Sequence, residues 1–185
     1  MNFLLSKFSK IFLLLFAVSV FVVTACDKDN NDGNNDQELI TTVRLTFTEV
    51  GGGSSTFTVK DLDGDGGNPP VADTIKLKAN TAYTIGVEFL DESEADHTHD
   101  ITEEVKKEAE EHLVCFAAGG AMSVPIAGDQ DGNGKPLGLE SALTAGAAGT
   151  GSLQVSLKHE PDKSAANPCT TGETDAEVTF DVTVQ

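Results

Sequence analysis

The sequence predicts a mainly β protein in which two antiparallel sheets pack face to face as a β-sandwich. Several segments alternate apolar and polar residues with a period of two, which is the pattern of strands that bury one face. Stretches rich in Gly and Asp separate these segments and are typical of turns. Many short strands with such separators favour a sandwich. The alternating segments are 43–48, 56–60, 74–78, 83–89, 153–158 and 176–184.

Within this class we expect an immunoglobulin-like topology, without the buried core Trp of antibody domains because the chain has no Trp. One segment, about 100–112, breaks the alternation and predicts a single inserted surface helix. Asp100 is placed to cap it, with Glu103 three residues later as in a capping box. Glu103 and Lys107 form a favourable pair four residues apart. A strand over 113–116 is expected to follow.

The N-terminus has the features of a bacterial export signal. Lys7 and Lys10 precede an apolar run from Ile11 to Val23, and small residues then lead to Cys26. This order describes a secretory signal, and the run is shorter than the roughly 20 residues of a transmembrane helix. We predict a signal peptide over 1–25. The position of Cys26 resembles the lipobox of bacterial lipoproteins, whose cysteine carries a diacylglyceryl group.

The segment after Cys26 predicts a tether. Residues 27–37 include no apolar side chain, so 26–37 is expected to be a flexible acidic linker ahead of one sandwich domain over 38–185. Acidic residues after the lipidated cysteine resemble surface-export signals of Bacteroidota lipoproteins. Asp27 also resembles an inner-membrane retention signal of other bacteria. We favour a lipid anchor in the outer membrane, on its periplasmic or surface face.

The charge of the chain narrows its partners. It has 12 basic and 30 acidic residues, a net charge of −18. Such a charge argues against nucleic acid and anionic lipid as partners and favours the attraction of cations. The sequence shows neither a nucleophile elbow nor a Gly-rich loop between strand and helix. We therefore predict a protein that is not an enzyme.

The cysteines predict one disulfide. The chain has three, and lipidation of Cys26 leaves Cys115 and Cys169. An even remainder in an exported protein favours a bridge between them. The alternative is two thiols, with Cys115 serving as a metal ligand three residues after His112.

A candidate zinc site surrounds the predicted helix. Imidazoles and carboxylates suit zinc and other divalent transition ions. Narrower sets are His97 and His99 with Asp96 or Glu103, or His112 with Glu108. His159 joins only if the fold brings it near. The alternative is a charged, solvated helix. The candidate ligands are His97, His99, Glu104, Glu108 and His112.

A candidate calcium loop lies further along the chain. Asp129, Asp131, Asn133 and Glu140 fit the spacing of an EF-hand loop. The flanking segments do not predict paired helices, and an ordinary hairpin loop rich in Asp, Asn and Gly is the alternative. The segment 61–66 begins in the same way but lacks the closing Glu.

Four segments of the predicted domain have distinctive sequences: DITEE at 100–104, DGNGKPLGL at 131–139, LKHEP at 157–161 and GETDAEVTF at 172–180. They resemble small Bacteroidota lipoproteins, some of which are labelled type 1 periplasmic-binding-fold proteins. The resemblance implies an exported lipoprotein accessory to an outer-membrane uptake receptor. The expected function is therefore a non-enzymatic binding module that handles a divalent metal ion beside an outer-membrane transporter. The alternative is a structural or adhesive surface sandwich stabilised by calcium.

Overall fold

The computed structural model describes residues 39–63 and 67–185, which belong to a compact unit spanning Asp36–Gln185. The predicted signal peptide, Cys26 and the tether lie outside the described residues. No helix in the described part is both long and apolar enough to cross a membrane. In chain order the elements are β1 Thr42–Glu49, β2 Ser54–Lys60, β3 Val71–Ala72, β4 Ile75–Leu77, β5 Ala82–Glu94, β6 His97–Asp100, α1 Thr102–Lys107, β7 His112–Gly120, β8 Ile126–Ala127, β9 Glu140–Thr144, β10 Gly149–His159, a 3-10 helix Pro168–Thr170 and β11 Glu173–Val184.

Two sheets form the predicted sandwich. One has the order β3-β2-β1-β5-β9-β8, with β6 beside β5, and the other has the order β4-β11-β10-β7. Each alternating segment of the sequence coincides with a strand, because one face of every such strand is buried between the sheets. Leu45 and Phe89 from the first sheet and Leu153 and Phe180 from the second are fully buried in the shared core.

The strand order confirms the immunoglobulin-like topology. Strands β1-β5-β9-β8 have the connectivity of the four-stranded sheet of a constant-type immunoglobulin domain, and β7-β10-β11 have that of its three-stranded sheet. Three strands are additional to those of the immunoglobulin domain. Strands β2 and β3 extend the first sheet beyond β1, and β4 pairs in parallel with β11. The connections β5–β7 and β10–β11 therefore meet at one end of the sandwich, and this end holds the candidate site.

The inserted helix is shorter than the sequence predicted. It spans only Thr102–Lys107. Asp100 is the last residue of β6, and its Oδ1 accepts from the N–H of Thr102, the first helical residue, at 3.0 Å, as the predicted capping role requires. Glu103 pairs with Lys106, at 2.8 Å, and not with Lys107. The prediction over 100–112 was wrong at its C-terminal end because His112 pairs with His159 in the sheet, so the chain must leave the helix before it. The following strand is correspondingly longer than 113–116.

The predicted disulfide is present. Cys115 and Cys169 are bridged, with their Cα atoms 5.8 Å apart. Since Cys115 lies in β7 and Cys169 lies in the connection between β10 and β11, the bridge fastens that connection to β7. Lys163 adds a second fastening, because its Nζ donates to the carbonyl of Ala109 at 2.6 Å and to Asp131 at 2.9 Å.

Candidate metal centre

Two histidines that are distant in sequence are cross-strand neighbours. His112 is the first residue of β7, His159 is the last residue of β10, and the two are directly opposed in the antiparallel ladder. Side chains of directly opposed residues lie on the same face of a sheet. The two imidazole rings are stacked, with centroids 5.0 Å apart and planes 9° from parallel.

A β-bulge brings a carboxylate to the same place. The register of β10 and β11 pairs Leu157 with Ala176 but Lys158 with Thr174, so Asp175 is the extra residue between them. Bulges re-aim side chains, and they are common beside functional sites. Oδ2 of Asp175 lies 3.9 Å from Nε2 of His112, and Oδ1 lies 4.0 Å from Nδ1 of His159.

The side chains of two of the three ligands are almost inaccessible to solvent. The side chains of His112 and Asp175 are 3% and 4% exposed, and that of His159 is 19% exposed. Both distances from the carboxylate to the imidazoles exceed hydrogen-bond length. Burial raises the pKa of Asp175, and the nearby His159 and His112 offset only part of this rise. The carboxylate of Asp175 receives no hydrogen bond from either imidazole, and a cation between the three side chains would offset the effect of its burial.

The orientation of His112 is set by the turn that precedes β7. Its Nδ1 lies 3.1 Å from the carbonyl oxygen of Glu108. Because a carbonyl only accepts, Nδ1 is the donor, and in the neutral ring Nε2 then carries the lone pair. That lone pair is on the nitrogen nearer Asp175. A backbone carbonyl that fixes the tautomer in this way is the usual support of a metal-ligating histidine.

The three side chains can hold one ion. Their ligand atoms all lie within 4.8 Å of one another. Two atoms bound to the same zinc at about 2.0–2.2 Å are at most about 4.3 Å apart, and about 3.4 Å apart in a tetrahedron. Both carboxylate–imidazole distances are within the first limit, and the full set, within 4.8 Å, would have to contract by up to about 1.4 Å to reach a tetrahedral arrangement. Three protein ligands leave a fourth position open to water or another donor.

The structure does not bring the five predicted zinc ligands together. His97 and His99 lie on β6 and are exposed, beside Asp91 and Glu94 of β5. Nε2 of His99 lies 3.5 Å from Glu104. Two groups of metal-type ligands converge within the described part of the chain, and of the predicted five they contain only His112.

Glu108 contributes differently from the prediction. The side chain is exposed, and its backbone carbonyl is the atom that contacts His112. The i, i+4 spacing of Glu104, Glu108 and His112 does not place the three side chains on one face of a helix, because the helix ends at Lys107.

The carboxylates of the predicted calcium loop face hydrogen-bond donors. Oδ1 of Asp131 accepts from the backbone N–H of Asn133 at 2.9 Å and of Lys135 at 2.8 Å, and Oδ2 accepts from Lys163. Oδ1 of Asp129 accepts from the N–H of Gly138 at 2.7 Å. The loop therefore uses these oxygens to hold its own backbone. Calcium binding there with Asn133 and Glu140 stays a prediction.

The second calcium segment is described only in part. Asp63 accepts two hydrogen bonds from Asn68, and these bonds lower the pKa of its carboxyl group. Residues 64–66 lie outside the described residues, so this prediction too is untested.

Asp175, Glu111 and Glu160 were missed by the sequence analysis. The sequence did indicate that two ligands lie at strand ends, since His112 directly precedes one predicted strand and His159 directly follows another. The bulge that selects Asp175 has no mark in the alternation of β11, where Asp175 reads as an ordinary outward residue before Ala176.

No protein-family model, curated protein or solved structure matches the chain. Its function is therefore inferred from its own residues.

Proposed function

We propose that this chain is a non-enzymatic, exported and lipid-anchored module that binds one divalent transition-metal ion, zinc in the first instance. The ligands are His112, His159 and Asp175. The observation that carries the proposal is the Asp175 carboxylate, which is 4% exposed and faces two imidazole nitrogens just beyond hydrogen-bond reach. A cation at the centre of the three side chains would satisfy it.

The donor set selects the class of ion. Two imidazole nitrogens and one carboxylate suit zinc, copper or nickel. Calcium takes six to eight oxygen ligands, so two nitrogens in three donors disfavour it. Thiolate is excluded as a further ligand from Cys115, because that sulfur is in the disulfide.

Export is supported by the disulfide and by the N-terminal sequence. Disulfides persist in oxidising compartments outside the cytoplasm. Cys26 follows an apolar run and small residues, as lipidated cysteines do. A lipidated Cys26 would hold the domain at the outer membrane, and the resemblance to Bacteroidota lipoproteins supports a neighbouring uptake receptor as its partner.

Zinc titration by calorimetry tests the metal function. We expect the purified full chain to bind one zinc ion, and we expect His112→Ala and His159→Ala each to weaken binding at least about 100-fold, since loss of mere supporting contacts already costs 10–100-fold. The matched control is His97→Ala with His99→Ala, which removes two exposed imidazoles and should leave the affinity unchanged. Equal affinity of the His112→Ala variant and the parent would contradict the proposal.

The zinc titration, together with thermal unfolding in the presence of calcium, tests the alternative function. If zinc does not bind and calcium alone raises the unfolding temperature, the chain is a structural or adhesive sandwich instead. An unchanged calcium response in Asp131→Asn would then place the calcium outside the 129–140 loop.

Metabolic labelling with a fatty-acid analogue tests the anchor. We expect the parent to incorporate the label and Cys26→Ser to lose it, because the thioether cannot form on an oxygen. Undiminished label on the serine variant would exclude lipidation at this residue.

A further inference from the structure

Glu111, His159 and Glu160 form a second group of metal-type ligands at the mouth of the buried centre. We propose that they are an outer subsite through which the metal ion enters and leaves the His112–His159–Asp175 centre. This inference rests on the proposed function and adds a route and an intermediate position for the ion.

The three ligands of the inner centre differ in how far solvent reaches them. His112 and Asp175 are almost completely enclosed, and His159, at 19% exposed, is the ligand that solvent reaches. We infer that an ion that exchanges with solvent passes His159, the most exposed of the three ligands. The buried carboxylate of Asp175, which has no donor within hydrogen-bond reach among the three ligands, gives the ion a reason to move inward.

The outer ligands flank this exposed imidazole. Glu111 directly precedes β7, Glu160 directly follows β10, and both are exposed. The N–H of Glu160 donates to the carbonyl of Glu111 at 2.7 Å, which continues the β7–β10 pairing one step beyond the two histidines. The ligand atoms of the two glutamates and His159 lie within 4.8 Å of one another.

His159 belongs to both groups, which allows a stepwise transfer. An ion held outside by His159 and the two glutamates is already bound to one ligand of the inner centre. With the ion kept on Nδ1 of His159, the nitrogen that faces Asp175, moving inward exchanges the two exposed carboxylates for Nε2 of His112 and the carboxylate of Asp175. Imidazole is the better donor for zinc, copper and nickel, so the exchange favours the inner position.

The local charges keep the mouth open to cations. The two ammonium groups nearest in sequence are engaged elsewhere, since Lys158 donates to Thr174 at 2.6 Å and Lys163 donates to Asp131. The carboxylates of Glu111 and Glu160 raise the local concentration of cations, an effect that accelerates association.

Stopped-flow kinetics of zinc with the full chain test the subsite. Association would be followed with zinc in excess, and dissociation by a chelator chase. We expect Glu111→Gln with Glu160→Gln to slow both rates at least about tenfold, while the equilibrium affinity changes by less than about fivefold, as for surface charges. Loss of a site that the ion only passes through must slow association and dissociation together.

The matched control is Glu140→Gln with Asp181→Asn, which removes one exposed carboxylate from β9 in the other sheet and one from β11, six residues beyond Asp175. It should leave both rates near those of the parent. Unchanged rates in the Glu111/Glu160 variant would overturn the subsite while leaving the inner centre standing. Faster dissociation with a large loss of affinity would also overturn it, since the glutamates would then be final ligands. Absence of zinc binding by the parent would overturn the proposed function itself.

Discussion

Asp131 and Asp175 both have side chains that are almost inaccessible to solvent, yet their surroundings are opposite. The side chain of Asp131 is 1% exposed and accepts two backbone N–H donors and the ammonium of Lys163. Asp175 is 4% exposed, and it faces two imidazoles at 3.9 and 4.0 Å. One carboxylate is saturated with donors, and the other is held close to ligands without being bonded to them.

The pKa values of the two groups move in opposite directions. Burial alone would raise the pKa of Asp131, but the hydrogen bonds from Lys163, Lys135 and Asn133 outweigh it and lower the pKa. Burial raises the pKa of Asp175, and His159 and His112 do not reverse the rise. Asp131 therefore stabilises the fold as an anion, whereas an ionised Asp175 costs stability until a cation joins it. We assign a structural role to the first and a ligand role to the second.

The largest effect on stability is expected from the disulfide, which fastens the connection carrying Lys163 and leading to Asp175. Cys115→Ala with Cys169→Ala should lower the free energy of unfolding by about 4 kcal/mol in the chain-entropy model for a loop of this length. Denaturant unfolding measures the change. A loss of under about 1 kcal/mol would mean that the bridge does not restrict the unfolded chain as that model requires.

Removing the charge of Asp131 should come next. Asp131→Asn leaves the ammonium of Lys163 buried with the carbonyl of Ala109 as its partner, so we expect a loss of about 3 kcal/mol. Asp181→Asn, at an exposed position on β11, is the control and should change stability by less than about 0.5 kcal/mol. Equal effects of the two substitutions would remove the structural role of Asp131.

Asp175→Asn should behave in the opposite way in the metal-free protein. It removes a charge that burial disfavours, so the free energy of unfolding in the presence of a chelator should stay level or rise, by up to about 1 kcal/mol. A loss as large as that of Asp131→Asn would show that Asp175 makes stabilising contacts, and the contrast between the two carboxylates would fail.

The two carboxylates should also differ in how they respond to pH. The folded-state pKa of Asp131 lies below that of an unfolded chain, so its stabilisation is complete above about pH 4 and is lost as the pH falls through the lower folded value. The folded pKa of Asp175 is raised, so its penalty is present at neutral pH and disappears in acid. Stability curves of the two Asn variants, measured against the parent without metal, should therefore converge on the parent at low pH from opposite sides. Parallel curves would contradict the assigned directions.

The smallest effect is expected at the exposed histidine pair. His97→Ala with His99→Ala should leave zinc affinity unchanged and should alter stability by less than about 0.5 kcal/mol, as for surface positions. Loss of zinc binding in this variant would show that His97 and His99 of β6 are the metal ligands.

Sequence patterns predicted the sandwich well because a strand with one buried face requires apolar and polar residues to alternate, and this alternation is visible in a single segment such as 153–158 of β10. They failed where the structure depends on pairing between distant segments. His112 looked like the end of a helix because the residues before it are good helix formers, but its partner His159 draws it into the sheet. Asp175 was invisible because a bulge is a property of two strands in register, and no single-strand pattern encodes it.

Thermal unfolding of the parent and of Asp175→Asn, each with and without zinc, tests the central assignment most directly. The two proteins should unfold at similar temperatures in chelator. Zinc at 100 times its dissociation constant should stabilise the parent by about 2.7 kcal/mol, through binding to the folded state alone, and should leave the variant unchanged. If zinc raises the unfolding temperature of Asp175→Asn as much as that of the parent, the buried carboxylate is not a metal ligand and the assigned centre is wrong.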